Sequence, residues 1–451
     1  MDTVESWDND IAESVAPAGA EAGDGPDTAE EAAGDGPPDG DTSGARSGDD
    51  RARAARPQHG EAPFQLDEVF FSRTDARGVI RAGNNVFRRV ADYDWDAMLG
   101  APHKVIRHPD MPKGLFWLFW DRIKRGETIG AYVRNRARDG LSYWVFAVAM
   151  PCGDGYLSAR IKPTSELRDQ VEELYAEQVR QERDQGLSPQ DSAAWMQERI
   201  AAMGFPDYPR FAAHALSEEL MARDAGLGLG QDQCIGGFRT MLDCAESLKS
   251  ETDMLVREFA MTEIIPHNMR VIASRLEPNG GPISTLSTNY GGMSREMSRW
   301  FQTNVVGESS NFGSIEGTVS ESMFIECMVR LLNECARQLD TERHALGPVD
   351  LKAERGYLDG LATDYRAKAR ARQDQLAEET RRILDACKKM NRHILGLSTT
   401  RVMCKIEGAR LYEGRESLND IIGELNGIQQ RIRASLARIE DLSGTIRGLL
   451  T

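Results

Sequence analysis

His103-Lys104-Val105-Ile106-Arg107-His108-Pro109-Asp110-Met111-Pro112 gathers cationic side chains, two prolines and an acid on one short stretch. Pro109 biases His108 towards extended backbone, and Asp110 stands two residues before Pro112 at the mouth of the apolar run Leu115 to Trp120. That order is the order of a helix N-cap followed by a proline that pre-sets the first turn. One reading is structural: Asp110 satisfies orphan amides and Arg107 pairs with a carboxylate. The other is functional, with the stretch meeting a ligand.

The surroundings favour the second. From about Phe64 to Pro163 the chain reads as short strand, turn, short strand, several short helices, one amphipathic helix and three strands. Thr74-Asp75-Ala76-Arg77-Gly78 separates Val69-Phe70-Phe71 from Val79-Ile80. Arg138-Asp139-Gly140 divides a strand near Ala131 to Arg136 from one over Ser142 to Met150, and Gly153-Asp154-Gly155 starts the last strand. The fold class expected is α+β, an antiparallel sheet with helices on one side, followed by an all-α helical bundle.

Within this region, Thr74-Asp75 with Gly78-Val79-Ile80, Asn84-Asn85-Val86-Phe87, Pro102-His103, Arg107-His108-Pro109-Asp110-Met111-Pro112, Asn135-Arg136, Asp139-Gly140 and Tyr143-Trp144-Val145 resemble the PAS sensor domain of bacterial aerotaxis receptors. The resemblance spans about a hundred residues without an obvious insertion. It implies a domain that holds FAD non-covalently and reports its redox state. Asn84, Arg107, His108, Asp110 and Asn135 stand where the family's flavin-dependent positions stand, and Tyr143 and Trp144 lie in the strand beside the implied pocket. An isoalloxazine ring is flat and apolar with a polar edge, so it needs aromatic or aliphatic walls and a few fixed donors. Arg107 and His108 could meet its anionic part or the charge that develops on reduction. The chain departs from the family at Gly126-Glu127-Thr128-Ile129, where a tryptophan usually follows the Gly-Glu, so Ile129 replaces one aromatic wall.

With 451 residues and 40% hydrophobic content, the chain is long enough for two or three domains. No apolar run approaches the length of a bilayer span, and the start, Met1-Asp2-Thr3-Val4-Glu5-Ser6, lacks the pattern of an export signal, so a cytoplasmic protein is expected. Seven cysteines are scattered without metal-ligand spacing and read as reduced, mostly buried small hydrophobes. Of the net charge of −16, residues 1 to 50 supply −14, with fifteen Asp and Glu against the single Arg46. Gly, Ala, Pro and Asp dominate there, the composition of a tail that cannot bury enough surface to order itself. Arg51, Arg53 and Arg56 read as a solvated linker, and the near-neutral remainder offers no electrostatic footprint for nucleic acid. The expected organisation is an acidic disordered tail over 1–62, the PAS domain over 63–164, linker helices over 165–232 and a helical signalling and dimerisation region over 233–451.

Ser165 to Gln185 carries apolar residues at helical spacing and reads as a lever leaving the sensor. Ile235 to Ile264, Val319 to Leu346, Leu351 to Leu397 and Ser417 to Leu450 read as long coiled-coil-like helices of a bundle, with no proline after Pro348. The segment Asn268 to Glu277 is echoed by Arg401 to Arg410, which suggests a degenerate internal repeat. Ile406-Glu407-Gly408-Ala409-Arg410 also resembles the Ile-Glu-Ala-Ala-Arg string near the signalling tip of methyl-accepting chemoreceptors, with Gly408 in place of an alanine. The reading preferred for both segments is structural, helices packing through Ile, Val and Met faces with a Gly-Pro turn after Glu277.

The sequence has no phosphate-cradling Gly-Lys-Ser loop, no Gly-x-Ser-x-Gly elbow, no HExxH helix and no calcium loop, and His344 precedes a helix ending rather than a kinase domain. The expectation is therefore not an enzyme but a redox or energy sensor. It would act as a homodimer on a chemotaxis kinase and its coupling protein. The alternative is a PAS dimerisation scaffold without a cofactor. A haem sensor is the weakest reading, since His103 and His108 are the domain's two histidines and the flavin reading uses both.

Overall fold

The computed structural model describes residues 56–275, 281–301, 303, 311–342, 344, 347–410 and 415–450. Residues 1–55 of the tail expected over 1–62, and residues 276–280 around the turn expected after Glu277, lie outside the described residues. Strands β1 (Val69–Asp75), β2 (Ile80–Gly83), β3 (Ile129–Arg136), β4 (Ser142–Cys152) and β5 (Gly155–Ile161) form an antiparallel sheet of order β2-β1-β5-β4-β3. Between β2 and β3 run the short helices α1 (Asn85–Ala91) and α2 (Trp95–Met98), a 3-10 turn over His103–Ile106, and α3 (Lys113–Lys124).

Strand residues alternate between faces, so the register sorts the side chains. Ile129, Ala131, Val133 and Asn135 pair with Ala149, Ala147, Val145 and Tyr143. Ala147 and Ala149 pair with Arg160 and Ser158, and these with Phe70 and Ser72. The short helices cover this inner face: His103 reaches Ser72, and Phe87 of α1 stacks on Phe70. The outer face is covered too, by helices that follow the sheet in sequence. β4 is apolar at both parities, with Trp144, Phe146 and Val148 outward, so neither face tolerates water.

The helices after the sheet supply that outer cover. In α4 (Glu166–Asp184), Val171, Tyr175 and Gln178 are buried at helical spacing, and the helix lies back along the sensor instead of leaving it. α5 (Pro189–Ala202) crosses α3 so closely at Gly114 that an added Cβ would stand 2.5 Å from the Ala193 nitrogen. α6 (Tyr208–Gly226) packs on β3, and α9 (Asn311–Thr341) on β1 and β5. α7 (Gln233–Arg275), α8 (Gly281–Phe301), α10 (Leu351–Ala409) and α11 (Arg415–Leu449) form the bundle, with α7 against α8 and α11 and α10 against α11, α9 and α8. α7 runs past Ile264 through Pro266, whose carbonyl accepts from Ser287 Oγ of α8 at 2.7 Å. Residues from Ala55 onward form one compact unit. None of the described helices is long and apolar enough to cross a membrane.

Of residues 56–62, read as tail from sequence, Arg56 and Ala62 are held against the sensor while Pro57 to Glu61 are exposed. Ala62 donates its amide to the Ser142 carbonyl, and Arg56 pairs with Asp139 at 2.6 Å while bonding the Arg89 and Val90 carbonyls at the end of α1. A helix C-terminus offers unpaired carbonyls to a cation, and for Arg56 that outweighs solvation. Arg51 and Arg53 lie outside the described residues.

Candidate functional site

The stretch from Arg107 to Met111 runs along the free edge of β3. Arg107 bridges Asn135, the His108 amide bonds the Arg134 carbonyl at 3.4 Å, and the Arg134 amide bonds Met111 Sδ at 3.2 Å. This cover protects an edge strand, and it also delivers the stretch to Asn135. The Arg107 guanidinium lies 3.7 Å over the Phe116 ring. Burial lowers Arg107 to about 10, with Glu182 of α4 opposing that fall. His108 Nδ1 accepts the Asp110 amide at 3.2 Å, and burial together with Arg134 lowers its imidazole below the ordinary value.

Asp110 itself is exposed and does not cap α3; the residue preceding the helix is Pro112. Glu182 Oε1 takes that role from across the fold by accepting the Gly114 amide at 3.1 Å. A carboxylate from α4 packed against the helix start removes the need for a local cap, which sequence spacing does not reveal.

Asn84, buried at the β2–α1 junction, has its amide fully engaged. Its Oδ1 accepts from Phe71 and Phe87 amides, and its Nδ2 donates to the Val69 carbonyl and to Glu342 Oε1 at 3.2 Å. Glu342, just beyond α9, also accepts the Asn85 amide at 2.5 Å. Trp144 faces outward and stacks on Tyr175, on the opposite side of the sheet from Asn135. Of the six residues singled out from sequence, the structure thus gathers Arg107, His108 and Asn135 along β3, leaves Asp110 exposed beside them, ties Asn84 to the helical region and turns Trp144 away.

The inner face has its own signature. Asn135 Nδ2, Tyr143 Oη and Ser158 Oγ are buried without a hydrogen-bond partner among the described residues. The strand positions around them are small, Ala131, Ala147 and Ala149, and Phe70, Phe87 and Ile129 supply apolar walls. Unsatisfied buried donors cost about 1–3 kcal/mol each, so three on one face mark a place that polar ligand atoms would satisfy. A separate cleft of about 270 Å³, lined by Glu61, Phe64, Trp144, Lys162 and Arg168 among others, lies under the 56–64 strap. It is smaller than the ~300–1,000 Å³ of typical ligand sites.

The chain is 38% identical over 118 residues to the aerotaxis receptor of Escherichia coli strain K12, a stretch of PAS size. Over that stretch the sensor region has a PAS-type fold and is similar to the aerotaxis receptor. The match takes in 25% of this chain and 23% of the receptor, so less than a quarter of that relative is represented. No family model matches the chain. Among solved structures, the Erythrobacter litoralis EL346 blue-light activated histidine kinase superposes with a TM-score of 0.22 at 14% identity, covering 35% of this chain and 53% of that one. Among the described residues no cluster of three or more His, Cys, Asp or Glu is placed to hold a metal ion.

Proposed function

We propose that this chain is a redox or energy sensor whose PAS domain holds FAD against the inner face of the sheet and whose helical region signals through protein contacts rather than catalysis. The observation that carries the reading is the likeness to the aerotaxis receptor over the sensor region. The three unpartnered donors on the inner face fit a flat ligand with polar edges. When bound, a flavin supplies a group whose charge and hydrogen bonding differ between two redox states. Asn135, Tyr143 and Ser158 would fix its orientation, while Phe70, Phe87 and Ile129 exclude water.

Three side-chain contacts tie the sensor to the helices beyond it. Glu342 holds the start of α1 and the Asn84 amide, Arg73 of β1 pairs with Glu354 of α10 at 2.6 Å, and Tyr132 of β3 donates to Glu219 of α6 at 2.7 Å. A change on the inner face that moves Asn84 or β1 therefore acts on the same side chains that seat α9 and α10, the kind of shared element a two-state switch requires.

The proposed output is a homodimer that engages a chemotaxis kinase and its coupling protein. Exposed apolar residues near the far end of the bundle support that reading. Ile264 and Val271 on α7, and Leu395 and Val402 on α10, are each a heptad apart, and Arg270-Val271 matches Arg401-Val402 in the sequence echo. The first segment, as far as Arg275, closes α7, and the second runs to the end of α10. The alternative, a scaffold without cofactor, draws on Ile129 where the family carries tryptophan. The purified protein tests the two: absorption of flavin type that bleaches on reduction is expected, and a colourless protein that takes up no added FAD refutes the sensor reading.

A further inference from the structure

Arg160 on β5 poses an electrostatic problem that the sensor reading leaves open. It is 4% exposed on the inner face. Its guanidinium donates to Ser72 Oγ at 2.8 Å, to the Ser158 carbonyl at 3.1 Å and to His103 Nε2 at 2.8 Å, and lies 5.5 and 5.8 Å from the Phe70 and Phe87 ring centroids. None of these partners is an anion, and among the described residues no carboxylate is seen to form an ion pair with it. A buried cation lacking a counter-charge is costly, and ordinary cores avoid it.

The neighbours do not remove the charge. Burial lowers Arg160 to about 10, which leaves it protonated at neutral pH, and the other titratable groups facing it are the Tyr143 phenol from β4 and the Cys335 thiol from α9. Burial raises both of those groups, so they stay neutral. His103 is lowered to about 3, by burial first and by Arg160 second. Its neutral ring accepts from Arg160 at Nε2, with the ring proton on Nδ1. The cluster thus presents one fixed positive charge beside the unpartnered Tyr143 Oη and Ser158 Oγ.

We infer that Arg160 is the counter-charge of the sensor site: the inner face takes a ligand that carries, or acquires on reduction, a negative charge directed at this guanidinium. The inference rests on the flavin reading and goes beyond it by assigning Arg160 a role in the balance between redox states. Uptake of two electrons and one proton by the bound flavin, with an electrode as the source in the test, leaves it with one negative charge. A fixed cation favours that form over the neutral oxidised one.

The experiment is a spectroelectrochemical titration of full-length protein loaded with FAD, as wild type, Arg160→Gln and Arg160→Lys. Arg160→Gln keeps donors for Ser72 but loses the charge. It is expected to weaken binding of the reduced form at least tenfold relative to the oxidised form, a fall in midpoint potential of about 30 mV for a two-electron couple. Arg160→Lys restores most of it. Equal potentials in flavin-loaded wild type and Arg160→Gln overturn this inference alone, whereas a wild type that takes up no flavin overturns the flavin reading with it. Should the variants not fold, the wild type still decides. One proton per two electrons gives a slope of about 30 mV per pH unit, held to lower pH than in free FAD, and a slope indistinguishable from free FAD overturns the role.

Discussion

Glu342→Ala removes the acceptor that joins the sensor to the end of α9. In the wild type one carboxylate oxygen accepts the Asn85 amide at 2.5 Å and the Val86 amide at 3.4 Å, and the other accepts Asn84 Nδ2 at 3.2 Å and Gln338 Nε2 at 2.6 Å. The two amides open α1, so their loss resembles loss of an N-cap, about 0.5–2 kcal/mol. Stranding buried Asn84 Nδ2 adds a cost, while freeing a carboxylate that burial disfavours returns part of it; burial raises the Glu342 carboxyl above its ordinary value. The net expectation is a destabilisation of about 2 kcal/mol for Glu342→Ala and under ~1 kcal/mol for Glu342→Gln, whose amide oxygen still accepts from α1. Urea denaturation measures the difference, and hydrogen exchange at Asn85 and Val86 locates it. An alanine variant as stable as wild type, with unchanged exchange at those amides, would show that Glu342 does not hold the joint.

Three further outcomes are expected. Asn135→Ala and Arg107→Ala lower flavin occupancy more than they lower thermal stability, and full occupancy with earlier melting in both would make these residues scaffold only. His103, with its folded pKa near 3 against an ordinary 6.5, is protonated in the unfolded chain but not in the folded one between those values. Stability therefore falls as pH drops through that window, by up to about 1.4 kcal/mol per unit from this group, and His103→Gln flattens the curve by that amount; parallel curves would contradict it. Size measurement is expected to give a dimer, and Leu395→Lys with Val402→Lys to abolish capture of a chemotaxis kinase without lowering stability; capture that survives both changes rejects the bundle-end surface.

The sheet was legible because its turns are marked by glycine and acid pairs, and because β-branched and aromatic residues fill the strands between them. Asn135 and Tyr143 could be placed opposite one another only once the register was known, since a slip of one residue exchanges faces; that is why Trp144 and Tyr143 are neighbours in sequence yet serve opposite sides of the sheet. Asp110 had every local mark of a cap, but Glu182, far along the chain, supplied the bond. Long-range carboxylates of this kind, Glu182, Glu219 and Glu342, leave no periodic trace in sequence. Arg160 was missed for a related reason: in Ser158-Ala159-Arg160-Ile161 an arginine at alternating spacing reads as solvent-facing, and only the packing of both sheet faces shows it buried.

The central claim is that the inner face of the sensor and the helices share one switch, and hydrogen exchange of the flavin-loaded protein, oxidised against reduced, tests it most directly. The account predicts altered protection in two places on reduction: the inner face around Asn135 and Arg160, and the joint formed by α1, the end of α9 near Glu342 and the start of α10 at Glu354. A change confined to the inner face, with identical exchange at the joint in both redox states, would contradict it.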